Sequence, residues 1–279
     1  MRTIHRRFLT ATVISLCIGA AASAQPAPQI PDFSSNDRAW NRVGIPFLDP
    51  VTGKILFEDS EHPFLTRGVD AQGRDFNGTP NAPNWKDPNF KPWVAQKMKE
   101  YADEAIVRGK IRITPEASCW PGGTPGQMIF NEPLFILQAP TEVTLLYQRD
   151  HFVRHVYMNQ PHSKNPKPSW FGESVGHYEG DELVVDTIGF NEKSDLDNWG
   201  TPHSDALHVI ERYKMAEGGK GLRVTFTIDD PKAFNKPWSG VAVFRQVKGP
   251  MIEAVCAENN FDFFSGESYP MPEAKKVDF

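Results

Sequence analysis

Cysteine is scarce in this chain: three residues in 279, at Cys17, Cys119 and Cys256. Cys17 lies in an N-terminal apolar stretch, so two remain for the folded protein, and neither sits in the context of a reactive thiol. They read instead as one disulfide, Cys119 to Cys256, closing a long loop in an oxidising compartment. Apolar runs long enough to span a bilayer are missing as well. The stretch from Phe8 to Ala22 is too short and passes into polar, Pro-rich chain. Positive charge is in deficit. The first 24 residues hold three of the 30 Lys/Arg and none of the 35 Asp/Glu, so the 255 that follow carry 27 against 35, a net charge of −8 with histidine neutral. That balance excludes the basic footprint of nucleic-acid binding or of attraction to an anionic membrane. The Gly/Pro loop 119–126 is followed by no Gly-Lys-Ser/Thr and opens no helix, which argues against a phosphate cradle.

Arg2, Arg6 and Arg7 before the apolar stretch, and Ala22-Ser23-Ala24 after it, make residues 1–24 a cleavable leader. The mature chain is therefore expected in the periplasm or outside the cell. Residues 25–91, rich in Pro, Asn, Asp and Gly without periodicity, are expected to form an irregular N-terminal extension wrapping over the fold. Residues 92–279 form the folding domain. A helix is predicted over 92–108, with Trp93, Met98, Tyr101, Ala102, Ala105 and Ile106 at helical spacing, Pro92 in the first turn and Gly109 at the stop. Beyond Leu134, strands are predicted in four hairpins: 143–148 with 152–158, 174–178 with 182–188, 207–214 with 222–228, and 241–247 with 252–256. Consecutive hairpins predict a mainly β fold, an antiparallel up-and-down β-barrel of lipocalin type, with a two-sheet sandwich as the alternative. Eight strands enclose room for one small ligand.

Ionisable residues set inside apolar strands mark the candidate site, because an unpaired buried charge is costly. In the segment 202–213, a loop delivers His203 to a strand whose alternation places His208 and Arg212 on one face, Glu211 and Tyr213 on the other. His203 and His208 are the candidate acid–base residues, Glu211 a second acid among apolar neighbours, and Arg212 an anion stabiliser. Asp186, mid-strand between Val184 and Ile188, is the candidate orienter of a histidine. Trp170, Tyr213, Trp238 and His162 are candidate substrate contacts. The plainer reading gives Glu211 and Arg212 cross-strand ion pairs, to Arg223 or Glu253 for instance, and leaves the histidines capping backbone. A metal set drawn from His203, Asp205, His208 and either Glu211 or His162 matches no specific zinc spacing, so neither metal nor cofactor is expected. Ser174 in Gly172-Glu173-Ser174-Val175-Gly176 fits a nucleophile string, but it runs from loop into strand, where the elbow needs strand into helix.

Trp170-x-Gly172-x-Ser174-x-Gly176-x-x-Glu179-Gly180-Asp181-x-Leu183-Val184-Val185-Asp186-Thr187-x-Gly189-Phe190-Asn191, followed by Pro202-His203-Ser204-x-x-Leu207-His208-x-x-Glu211-Arg212-Tyr213, resembles a family of secreted bacterial proteins usually labelled hypothetical. Asp229-Asp230-Pro231, Lys236-Pro237-Trp238 and Val255-Cys256-x-Glu258-Asn259 extend the resemblance, which runs from about Pro92 to Asn259. It implies a shared site and names no activity. His177-Tyr178 and Asn159-Gln160 depart from the family pattern and leave the segment from His203 to Arg212 intact.

These residues predict a secreted, cofactor-independent acid–base enzyme. It would be a lyase, isomerase or hydratase acting on a small, partly apolar or aromatic molecule inside the barrel. A non-catalytic periplasmic ligand-binding barrel is the alternative.

Overall fold

The computed structural model describes residues 30–44, 47–62, 82–108 and 119–256, with the backbone of 68–69 and 75–76. The leader expected over 1–24 lies outside these residues, as does Gly109.

Nine strands close into one barrel: β1 Ala39–Arg42, β2 Leu134–Gln138, β3 Glu142–Tyr147, β4 Val153–Met158, β5 Glu173–Glu179, β6 Glu182–Ile188, β7 His208–Ala216, β8 Gly221–Asp229 and β9 Trp238–Val247. Their order around the wall is β1-β9-β8-β7-β6-β5-β4-β3-β2, and Trp40 opposite Leu134 completes the ring. A separate ribbon pairs Gly68–Val69 with Asp75–Phe76. Alternation makes most of the barrel strands, and β6 and β9 add short runs buried on both faces. In β8, Leu222, Val224, Phe226 and Ile228 are fully buried, while Arg223, Thr225 and Thr227 face outward. The helix α1, Pro92–Ile106, starts on its proline and buries Val94, Met98 and Ala102, one per turn. Trp93, expected on that face, is instead half-exposed and donates its indole N–H to the Lys232 carbonyl at 2.8 Å. No helix among the described residues is long and apolar enough to cross a membrane.

The barrel is mixed, which corrects the expectation of an antiparallel, lipocalin-type meander. β4 and β5 run parallel, with Val156 opposite Ser174 and Met158 opposite Gly176. Residues 159–172 make the crossover, since parallel neighbours require the chain to return to the same end of the sheet. The predicted last strand, 252–256, is irregular. Closure comes instead from β2 and from β1, which lies within the segment read as an irregular wrap. Four residues, Ala-Trp-Asn-Arg, are too few to show alternation in sequence.

The interior is filled. Trp40, Leu134, Ile136, Val143, Leu145, Val156, Leu183, Val185, Tyr213, Phe226 and Phe244 are all at most 2% exposed. The ligand-sized hollow expected in the barrel is thus occupied by its own side chains. Gly240 shows how tightly: a Cβ there would lie 2.3 Å from Phe226 Cζ and 2.9 Å from Leu56 Cδ1. Gly240→Ala is expected to destabilise by about 1–3 kcal/mol through overpacking, seen as a lower urea midpoint at unchanged m-value.

Candidate functional site

The wall strands β5, β6 and β7 are neighbours, with Glu173 opposite Ile188 and Asp186 opposite Ile210. Parity turns Ser174, Thr187 and Val209 inward and so turns Glu173, Asp186 and His208 outward, near one end of the barrel. The crossover 159–172 lies over this end. It is pinned by Ser169 N–H to the Gly189 carbonyl at 3.1 Å and Asn191 N–H to the Ser169 carbonyl at 2.8 Å. Gly172, at φ +67°, lets its last residues sit against β6, where a Cβ would meet the Ile188 carbonyl oxygen at 2.6 Å.

The loop brings His162 to the wall. Asp186 Oδ1 lies 2.9 Å from His208 Nε2 and 2.9 Å from His162 Nε2. The other nitrogen of His162, Nδ1, is 3.1 Å from Glu173 Oε1, which also accepts the Ser163 backbone N–H at 2.7 Å. The hydrogen bonds from Ser163, then the one from His162, hold the Glu173 carboxyl below its ordinary value. With a carboxylate at each ring nitrogen, His162 makes both bonds at once only when both nitrogens carry protons. The four side chains form an unbroken chain: His208, Asp186, His162, Glu173. They are partly open, with side-chain exposures of 35%, 36%, 20% and 25% in that order. Ser163 and Glu173 also stand in the wall of a cleft of about 460 Å³ between β4 and the crossover, within the size range of small-molecule sites.

Sequence reasoning placed Asp186, His208 and His162 in the site, and the structure brings those three together. The remaining candidates lie elsewhere. Glu211 is fully buried inside the barrel against Arg154, and Tyr213 donates to it at 2.9 Å from the same interior. Arg212 is on the surface, bonded to Glu179 at 2.7 Å and Glu182 at 3.2 Å, so it serves cross-strand pairing. His203 is 3% exposed. Its Nδ1 donates to the Ser204 carbonyl at 3.0 Å, leaving Nε2 to accept the Ser194 hydroxyl at 3.1 Å. Burial holds its pKa below the ordinary histidine value, so it is a neutral core histidine. The same loop is tied down by Asp197, which accepts from Trp199 N, Thr201 N and Thr201 Oγ1 and whose pKa burial pushes up to about 6. Trp170 packs edge-on against Trp120, ring centroids 5.2 Å apart. Trp238 lies in an aromatic cluster with Phe57, Phe226 and Phe234 and lines a different cleft, beside Asp49 and Asn89.

The metal set weighed from sequence is scattered: Asp205 pairs with Lys232 on the surface, and Glu211 is inside the barrel. The three-ligand grouping found among the described residues is Asp59, Glu61 and His62 in a surface turn. Two residues escaped sequence reasoning. In the sequence Glu173 stands out only as part of the serine string Gly172–Gly176. Arg154 shares the inward parity of Val156 and Met158, the signal that could have found it. The disulfide is present, Cys119 to Cys256, with Cα atoms 5.5 Å apart. Compared with protein-family models and with curated proteins, the chain matches none.

Proposed function

We propose that this is an exported acid–base enzyme that moves protons on a small molecule at the outer wall of its barrel, in a lyase, isomerase or hydratase reaction needing no cofactor. The observation that carries the reading is the sharing of Asp186 Oδ1 by two imidazoles, each at 2.9 Å, beside a cleft whose wall includes Glu173. Buried structural histidines make fixed bonds and stay dry, as His203 does. These two stay open to solvent while a carboxylate fixes their orientation, which is the arrangement general acid–base catalysis requires. In this reading Glu173 meets the substrate and takes or returns its proton. His162 behind it supplies or accepts the matching proton, and Asp186 holds both rings. His208, about a third exposed, exchanges with water. The packed interior speaks against the rival reading of a carrier with its ligand in the lumen. An export leader in the sequence and a disulfide in the fold support a location outside the cytoplasm.

The test is proton exchange. The mature protein in D₂O is incubated with a panel of small hydroxy acids, keto acids and aromatic acids, and deuterium uptake at carbon is followed by NMR. One class is expected to exchange, and Asp186→Asn and Glu173→Gln each to slow it by about 100-fold or more, the usual contribution of a positioned acid or base. Unchanged exchange in both variants refutes the assignment.

A further inference from the structure

The cleft beside the cluster carries information on what it binds. Its wall combines planar side chains with one uncommitted positive charge. Tyr157, 42% exposed on the outer face of β4, stacks on His155 with ring centroids 6.4 Å apart and planes within 14°. Phe171 from the crossover lines the same cleft, its ring also packed against Tyr147 and Phe152. The ionisable residues lining the cleft are Arg154, His155, Lys167 and Glu173. Arg154 is locked to Glu211, His155 to Glu142 at 2.6 Å, and Glu173 to Ser163 and His162. Lys167 is the exception: exposed, in the cleft wall, and without an ion-pair or hydrogen-bond partner among the described residues.

We infer that the cleft binds a planar, conjugated carboxylate, with its ring against Tyr157 and Phe171 and its carboxylate on Lys167. That this ligand is the substrate rests on the proposed acid–base function; that it binds does not. Planarity follows from the flat aromatic walls, which favour a ring at stacking distance over a tetrahedral chain. The negative charge follows from electrostatic balance. The one carboxylate in the wall, Glu173, already accepts two donors at Oε1, and the ammonium is the group left to be matched. Bound this way, the acid lies in the same cleft as Glu173, the residue assigned to proton transfer.

Binding of three probes separates the terms: benzoate, benzyl alcohol, which keeps the ring and loses the charge, and cyclohexanecarboxylate, which keeps the charge and loses the plane. Affinities are read by NMR titration at low ionic strength. Benzoate is expected to bind about threefold to fivefold more tightly than benzyl alcohol, the scale of an exposed ion pair, with the gap shrinking as salt is added. Lys167→Met is expected to abolish that gap, and Tyr157→Ala to weaken benzoate and benzyl alcohol alike. Both side chains are exposed, so the variants should keep the wild-type unfolding midpoint. Equal binding of benzoate and benzyl alcohol, benzoate binding untouched by Lys167→Met, or cyclohexanecarboxylate binding as well as benzoate overturns the inference. So does an absence of binding at about 10 mM probe, where even a ~1 mM site is mostly filled. Benzoate has no carbon-bound proton acidic enough to exchange. Its binding therefore reports on the cleft alone, and the deuterium experiment on the acid–base cluster alone.

Discussion

Arg154→Met is expected to cost the folded protein about 3–5 kcal/mol, the penalty for stranding a charge in a closed interior. Arg154 is 1% exposed at its side chain and Glu211 0%. The guanidinium spends its donors on Glu211 Oε1 at 3.0 Å, on Glu211 Oε2, on Ser174 Oγ at 3.0 Å and on Thr187 Oγ1 at 2.8 Å. Tyr213 completes the carboxylate from the other side at 2.9 Å. Burial, and then the negative charge of Glu211, pushes the Tyr213 phenol well above its ordinary value, so it stays a donor throughout the working pH range. Removing the arginine leaves a fully buried carboxylate held by one phenol. Methionine fills much of the volume, so the loss should come from the charge and not from a cavity. The control is Arg154→Met combined with Glu211→Met, expected to recover most of the loss, because well-packed apolar side chains replace a buried pair at little cost. Urea midpoints at constant m-value measure both. A single variant within about 1 kcal/mol of wild type would mean that Glu211 reaches solvent, contrary to its burial.

That buried pair also shows where sequence reasoning loses its grip. Alternation in 207–213 puts Glu211 on the apolar face, but the partner the sequence offers it is Arg223, in the adjoining segment. The partner is Arg154, on β4, facing it across the barrel interior. Parity tells which way a side chain points; it does not tell what stands opposite once the sheet is closed. For the same reason alternation cannot tell a filled lumen from a hollow one. The outer cluster was more legible. The tight turn at Gly180 fixes the β5–β6 register, and the next pairing sets Glu173, Ile188 and His208 in one row, with Asp186 diagonal to it. Asp186 and His208 could be foreseen as neighbours on alternation alone. His162 sits on a crossover loop, whose path no periodicity encodes. That crossover is also what made β4 and β5 parallel, a relation hairpin logic has no means to anticipate.

Breaking the Cys119–Cys256 bond should lower stability by about 4–5 kcal/mol, and the melting temperature by roughly 10–15 °C for a domain of this size. The bond spans 137 residues, and every barrel strand but β1 lies within the loop it closes. Its effect is expected to act mainly through the unfolded chain, which regains the freedom of that loop on reduction. The folded state has other ties at the same place: Cys256 N–H donates to Asp150 Oδ1 at 2.7 Å, and Asp150 N–H to the Ala254 carbonyl at 2.9 Å. The segment after β9 should therefore stay docked at low temperature in Cys119→Ser/Cys256→Ser, and the barrel should keep its native circular dichroism. The m-value distinguishes this loss from that of Arg154→Met. Opening the loop expands the unfolded chain and raises m, whereas stranding Glu211 changes the folded state and leaves m alone. A melting shift of under about 3 °C, with m unchanged, would mean that the unfolded chain already holds its ends together without the bond.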